Sequence, residues 1–129
     1  MARPAESKLT PGQLEIMNLF WERGELGVAQ VWKLLSGRRR LARNTVQTML
    51  ARLVDRGWLQ ARASGNAFYF RAARARKSTL RGMIAQLLDT AFSGSASRMV
   101  MTLLEARPLT PDEARHIRAL IDKAQEGKK

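Results

Sequence analysis

Cysteine is absent from this chain, and histidine occurs once, at His116. The first absence excludes a disulfide framework, a thiolate metal site and a thiol nucleophile. The second removes histidine-based zinc clusters and most histidine-dependent catalysis. His116 itself falls on the outward side of a helical stretch, an incidental place rather than that of a pH sensor. No apolar run approaches the roughly 18 residues of a membrane span. The opening MARPAESK carries charge with no hydrophobic stretch behind it, so no signal peptide is expected and the chain reads as cytoplasmic.

Acids are also scarce, 11 against 23 lysines and arginines in 129 residues, for a net charge of +12. A balance this basic points to a polyanionic partner. The few carboxylates at hand, Glu15, Glu22, Glu25 and Asp55, are dispersed, whereas metal-assisted phosphodiester chemistry needs them clustered. Neither an enzyme nor a cofactor or metal site is expected. The asymmetry of sign is steepest between Glu25 and Arg71, with nine basic residues (Lys33, Arg38, Arg39, Arg40, Arg43, Arg52, Arg56, Arg62, Arg71) and only Glu25 and Asp55 opposing them. A membrane surface would favour one amphipathic basic helix with a broad apolar face. Here the cations spread over loops, a helix and a hairpin, so membrane binding is not expected and phosphate contact is.

What is present begins with a strong helix start. In Leu9-Thr10-Pro11-Gly12-Gln13-Leu14, Thr10 can cap the free amides, Pro11 suits the first helical position and Gln13 can reach back. Leu9 and Leu14 are spaced for a hydrophobic staple. Leu14, Met17, Leu19, Phe20 and Trp21 are the expected core contributors of this helix, which stops at Gly24. A short turn leads to a second helix over 28–35 with Val31, Leu34 and Leu35 inward and Trp32 ambiguous. Ser36-Gly37-Arg38-Arg39-Arg40 breaks it and puts three arginines in a loop that could meet a phosphate strand.

The third helix, about 44–56, places Val46, Met49, Leu50 and Leu53 on one face. The opposite face holds Asn44, Thr45, Gln47, Thr48 and Arg52, polar and free of acids. Such side chains can donate and accept at base edges, and arginine can bond guanine twice. Gly57 supplies a left-handed helix stop. Two strand-like runs, WLQARA and AFYF, flank Ser64-Gly65-Asn66, which reads as a hairpin turn. Alternation predicts Leu59, Ala61, Phe68 and Phe70 on the core face, with Tyr69 and Arg62 outward. Helix, turn, helix and hairpin in this order describe a winged helix-turn-helix. The fold class is therefore mainly α with a small β-hairpin wing.

Past Ala72 the pattern changes. One long helix is expected from Ala73 to Phe92, with Leu80, Met83, Ile84, Leu87, Leu88, Ala91 and Phe92 on an i, i+3, i+4 stripe. After Ser93-Gly94-Ser95 a short helix from Arg98 to Glu105 gathers Met99, Val100, Leu103 and Leu104. Leu109-Thr110-Pro111-Asp112-Glu113 repeats the start signal seen at Thr10, and the last helix carries Ala114, Ile117, Leu120, Ile121 and Ala124. Three helices with wide apolar stripes make a poor independent globule. Residues 1–72 are expected to form a DNA-binding domain and 73–129 a helical dimerisation domain that wraps around a second copy, with packing of these helices back on the winged helix as the less favoured alternative.

The run LTPGQLEIMNLFWERGELGVAQVWKLL, then NTVQTMLARLVDRGWL, then a hairpin ending FYF, resembles the BlaI/MecI/CopY family of bacterial penicillinase repressors. The likeness covers Leu9 to about Lys123. It implies a homodimeric transcriptional repressor of double-stranded DNA, with one winged helix on each half of an inverted-repeat operator and interlocked C-terminal helices. By match to the family's recognition helix, Thr45, Thr48 and Arg52 would meet bases, Asn44 and Gln47 would lie near the backbone or groove edge, and Ser64 to Asn66 would form the wing tip. Arg39, Arg40, Arg43 and Arg62 would join the DNA-contacting set. The dimer interface would comprise Leu80, Met83, Ile84, Leu87, Leu88, Phe92, Met99, Val100, Leu103, Leu104, Ile117, Leu120 and Ile121. Two departures stand out. The copper-responsive branch senses metal through C-terminal cysteines, which this chain lacks. The penicillinase branch answers a membrane metalloprotease sensor and is cleaved between Asn and Phe, where this chain has Thr102-Leu103. A winged helix used as an RNA-binding or protein-interaction module is the alternative reading.

Overall fold

The computed structural model describes residues 8–37 and 40–127. The first helix, α1 (Pro11–Arg23), starts as its sequence dictates. The Thr10 amide donates to Gln13 Oε1 at 3.0 Å and the Gln13 amide donates to Thr10 Oγ1 at 3.1 Å, a reciprocal cap that satisfies two amides with no helical partner. The helix ends at Gly24, whose φ of 86° is costly for a side chain with a β-carbon. Ile16, Met17 and Phe20 are fully buried, with Leu19 and Trp21 packed at the margin and Leu14 half-buried. Ile16, rather than the expected Leu14, thus anchors the helix to the core. It lies one turn before Phe20, so the buried stripe is centred on that side.

A two-residue strand β1 (Leu26–Gly27), where only a turn was expected, precedes α2 (Val28–Ser36). The Gly27 amide is held by Gln30 Oε1 at 2.8 Å. Then come α3 (Arg43–Asp55), β2 (Leu59–Ser64) and β3 (Ala67–Ala72). The end of α3 has two closing bonds, Trp58 N to Leu53 O at 2.9 Å and Gly57 N to Val54 O at 3.0 Å, with Gly57 at φ 85°. This is the Schellman arrangement, and the buried pair Leu53 and Trp58 supplies its usual hydrophobic contact.

The strands form one antiparallel sheet in the order β1-β3-β2. Leu26, Phe70 and Ala61 stand in one row across it, and Gly27, Tyr69 and Arg62 in the next. Side chains of successive rows alternate between faces. Leu26, Phe70 and Leu59 enter the core with Val31, Leu35, Val46, Leu50 and Leu53. Ala61 and Phe68, expected on that core face, are exposed, Phe68 at 58%. Their parity is right, but the hairpin projects past the last core layer. Alternation fixes a face and not what lies beneath it.

The fourth helix, α4 (Arg76–Ala91), begins three residues later than expected. Ala73 and Arg74 are committed elsewhere: the Ala73 amide donates to Trp58 O at 2.9 Å, and the Trp21 indole donates to Arg74 O at 2.8 Å, while the Ala75 carbonyl accepts from the Thr79 amide at 3.2 Å at the start of the helix. The remaining helices are α5 (Ala96–Ala106) and α6 (Pro111–Glu126). Ser93 and Gly94, with φ of 49° and 79°, make the break before α5. The Thr110 hydroxyl caps α6 by accepting from the Glu113 amide at 3.1 Å, and Asp112 pairs with Arg115 within its first turns.

The chain divides into two compact units after Gly82. The first holds every buried hydrophobic residue of the core. From Met83 onward no described residue is buried in the single chain, and Ile84, Leu87, Val100, Met101, Leu103, Leu104, Leu120 and Ile121 are exposed. No helix among the described residues is long and apolar enough to cross a membrane.

Candidate nucleic-acid interface

The site is built on α3, whose two faces do different work. Val46, Leu50 and Leu53 are buried to zero exposure and fix the helix against α2 and the sheet. Asn44, Thr45, Gln47, Thr48 and Arg52 are all exposed on the remaining surface. No acid occurs in the first turn, and the N-cap Ala42 offers no side-chain acceptor. The amides at the start of α3 therefore add positive potential to a surface already cationic. Thr48 donates its hydroxyl proton to Asn44 O at 2.9 Å, which leaves its oxygen as an acceptor toward solvent. The side chains of Thr45, Gln47 and Arg52 make no hydrogen bond or ion pair among the described residues, so their polar groups remain open to an incoming partner.

The approach to α3 is held by Trp32, a role its sequence position left open. Its indole donates to Leu41 O at 2.7 Å, and Arg43 lies over the ring at 5.1 Å from the centroid. One side chain thus ties Leu41 to α2 and presents the cation at the first residue of α3. Arg40 is exposed just ahead of it. Arg39 lies outside the described residues.

On the hairpin, Ser64 and Asn66 are exposed at the tip. Gly65, with φ of 62°, takes the first central position of a two-residue turn closed by the Ser64–Ala67 pair, the pattern of a type II′ hairpin. Arg62 faces outward as expected, but its guanidinium is engaged by a carboxylate. Its Nε and one terminal nitrogen donate to the two Glu25 carboxylate oxygens at 3.0 and 2.8 Å, and the guanidinium lies 5.4 Å from the Tyr69 ring centroid. The guanidinium holds the Glu25 carboxyl below the usual carboxylate range, and Glu25 raises the pKa of Arg62. Glu25 had not been marked as a site residue. Its partner is 37 positions away, and no local pattern announces such a pair. Arg71, next along the wing, bonds Gln60 Oε1 through its Nε at 3.1 Å.

Among the described residues no group of three or more histidine, cysteine or acidic side chains converges as a metal ligand set would. A helix whose inner face is fully packed and whose outer face is polar, cationic and acid-free, flanked by a two-stranded wing, defines a winged helix-turn-helix DNA-binding protein.

The chain belongs to the penicillinase repressor family, whose model matches residues 9–123. It is accordingly a DNA-binding transcriptional repressor and not an enzyme. The penicillinase repressor of Bacillus licheniformis is 24% identical over 122 residues, covering 95% of each chain. The solution structure of B. licheniformis BlaI, in its monomeric form with the blaP half-operator, is 26% identical with a TM-score of 0.50. It covers 57% of this chain and 90% of that one. The oxidised form of MarR from E. coli shares the fold over 92% of this chain and 76% of its own, with 19% identity and a TM-score of 0.51.

Proposed function

We propose that the protein represses transcription as a homodimer on an inverted-repeat operator, each copy laying α3 in the major groove of one half-site with the β2–β3 hairpin alongside as a wing. The observation that carries this reading is the exposed, acid-free face of α3 set directly behind a rigid core face. Thr45, Thr48 and Arg52 read bases, Asn44 and Gln47 meet the groove edge or backbone, Arg39, Arg40 and Arg43 neutralise phosphates, and Ser64 and Asn66 touch DNA from the wing tip. Residues 1–72 serve as the DNA-binding part and 73–129 as the dimerisation part. The exposed stripe through Ile84, Leu87, Val100, Leu103, Leu104, Leu120 and Ile121 supports that division, because a second copy would take it out of water. Leu80, Met83, Leu88, Phe92, Met99 and Ile117, half-buried in one chain, would flank the same interface. BlaI of B. licheniformis binds a half-operator as a monomer. A whole operator for two copies is the corresponding reading here.

Release of the operator by a membrane metalloprotease sensor would have to act on a helical bond. Thr102–Leu103 lies inside α5, with the Thr102 hydroxyl bonded to Arg98 O at 3.0 Å. Proteases take extended backbone, so the helix would have to open before cleavage.

Selection from a randomised duplex pool, with sedimentation of the recovered complex, tests the proposal. The expected result is a palindromic consensus bound by two chains. Absence of any consensus at low salt, or equal affinity for single-stranded RNA, would overturn it.

A further inference from the structure

The row Gly27–Tyr69–Arg62 runs across all three strands on the sheet face turned away from the core. Tyr69 lies over the place a side chain at position 27 would occupy: a β-carbon there would stand 3.4 Å from Tyr69 Cε1. The Arg62 guanidinium lies over the same ring, 5.4 Å from its centroid, and continues to Glu25, just ahead of β1. A single side chain therefore starts on the outer strand of the hairpin, crosses β3 and ends on the segment that leads out of α1. Main-chain pairing between β1 and β3 covers only Leu26–Phe70 and Gly27–Tyr69, a short seam for a projecting hairpin.

We infer that Glu25, Tyr69 and Arg62 form a clasp that sets the angle of the wing, so that Arg62 is a positioning residue and not a phosphate contact. The inference rests on the reading of the hairpin as the DNA-contacting wing. Three features support it. The bidentate geometry commits the guanidinium fork to a carboxylate. The pair is close to neutral as a unit, and Glu25 would repel any phosphate brought to Arg62. The row also lies on the face opposite the one packed toward α3, two residues short of the exposed tip at Ser64.

The two roles leave different marks on salt dependence. Losing a phosphate contact flattens the slope of log affinity against log salt by about 0.9, whereas loosening a wing lowers affinity with the slope intact. Glu25→Gln, Arg62→Gln and the double variant would be titrated in the full chain against the duplex recovered by selection. Each single variant is expected to lose roughly two- to fivefold in affinity, the scale an exposed ion pair can supply, at unchanged slope. The double variant is expected to lose no more than either single one, because both remove the same clasp. A shallower slope for Arg62→Gln with undiminished binding by Glu25→Gln, or no change in either, would overturn the inference. Amide exchange in the DNA-free protein separates this failure from failure of the DNA reading. Faster exchange of the amides that pair β1 with β3, in both single variants, upholds the clasp even if no duplex is bound, and unchanged exchange there refutes it.

Discussion

The two units of this chain bury their apolar residues to opposite degrees. In the first, Ile16, Met17, Phe20, Val31, Leu35, Val46, Leu50, Leu53 and Leu59 are removed from water by helices and sheet of the same chain. In the second, helices of similar regularity leave Leu87, Val100, Met101, Leu103, Leu120 and Ile121 about half exposed. Secondary structure alone does not separate them, since both have well-capped helices. The difference is that α1, α2, α3 and the sheet supply a second layer for one another, and α5 and α6 have too few elements to enclose anything. The first unit can specify its own shape, whereas the second leaves its apolar stripe exposed in the single chain, which is why a second copy was proposed to cover it.

The sharpest way to break that comparison is to place a charge on the exposed stripe. Leu87→Asp would bury an unpaired carboxylate in the proposed interface, at a cost of about 3 kcal/mol or more per copy, and sedimentation equilibrium should show monomers. The first unit should keep its unfolding behaviour. If the mass in solution is unchanged, the stripe is not the interface. Leu50→Ala works in the opposite region. It opens a cavity beside Val46 and Leu53 and should cost about 2–5 kcal/mol in thermal unfolding, without changing the association constant of chains that remain folded. An equal loss of association would show that the two units do not divide folding and pairing as their burial suggests.

The sequence made local devices legible and left distant ones hidden. Thr10-Pro11 and Thr110-Pro111 each start a helix by contacts within three residues, and Gly57 ends α3 within five. Gly65 sets the hairpin turn by its own φ. These need no knowledge of the rest of the chain. The polar face of α3 was legible for the same reason, because Thr45, Thr48 and Arg52 share a face by periodicity alone. What depends on tertiary context was not. Strand β1 is two residues long and carries no alternation, so only its pairing with β3 reveals it. Ile16 and Leu14 look equivalent until the direction of the core is known. Ala73 and Arg74 favour helix, yet Trp58 and Trp21 hold them outside α4. Met101, three residues before Leu104, belongs to the exposed stripe and was missed because the expected stripe took only one side of α5. Trp32 to Leu41 and Glu25 to Arg62 are side-chain choices made across space, and they determine how the legible surface is held.

A finer comparison lies within the first unit, between the inner and outer faces of α3. Arg52→Ala removes no buried contact and should leave the melting temperature almost unchanged. Discrimination between the selected duplex and a mutated half-site should fall by about 1–3 kcal/mol, read by competition binding. Equal weakening on every duplex would move Arg52 from base reading to phosphate contact.

The smallest effect per residue gives the most direct comparison, because the same device occurs in both units. Thr10 and Thr110 each precede proline and accept from an amide three residues on, both at 3.1 Å. Replacing either by alanine should cost about 1 kcal/mol of helix stability. In the first unit that loss appears as a lowered melting temperature that does not depend on protein concentration, since α1 is stabilised by its own chain. In the second, the proposed dimer would stabilise α6 by burial against another copy, so the loss would be coupled to association. Both copies lose a cap, and the dimer weakens by roughly thirtyfold, with a melting shift that grows on dilution. Melting curves of Thr10→Ala and Thr110→Ala over a wide range of concentrations measure this. If the two shifts respond alike to dilution, α6 is stable without a partner, and the exposed stripe needs another explanation.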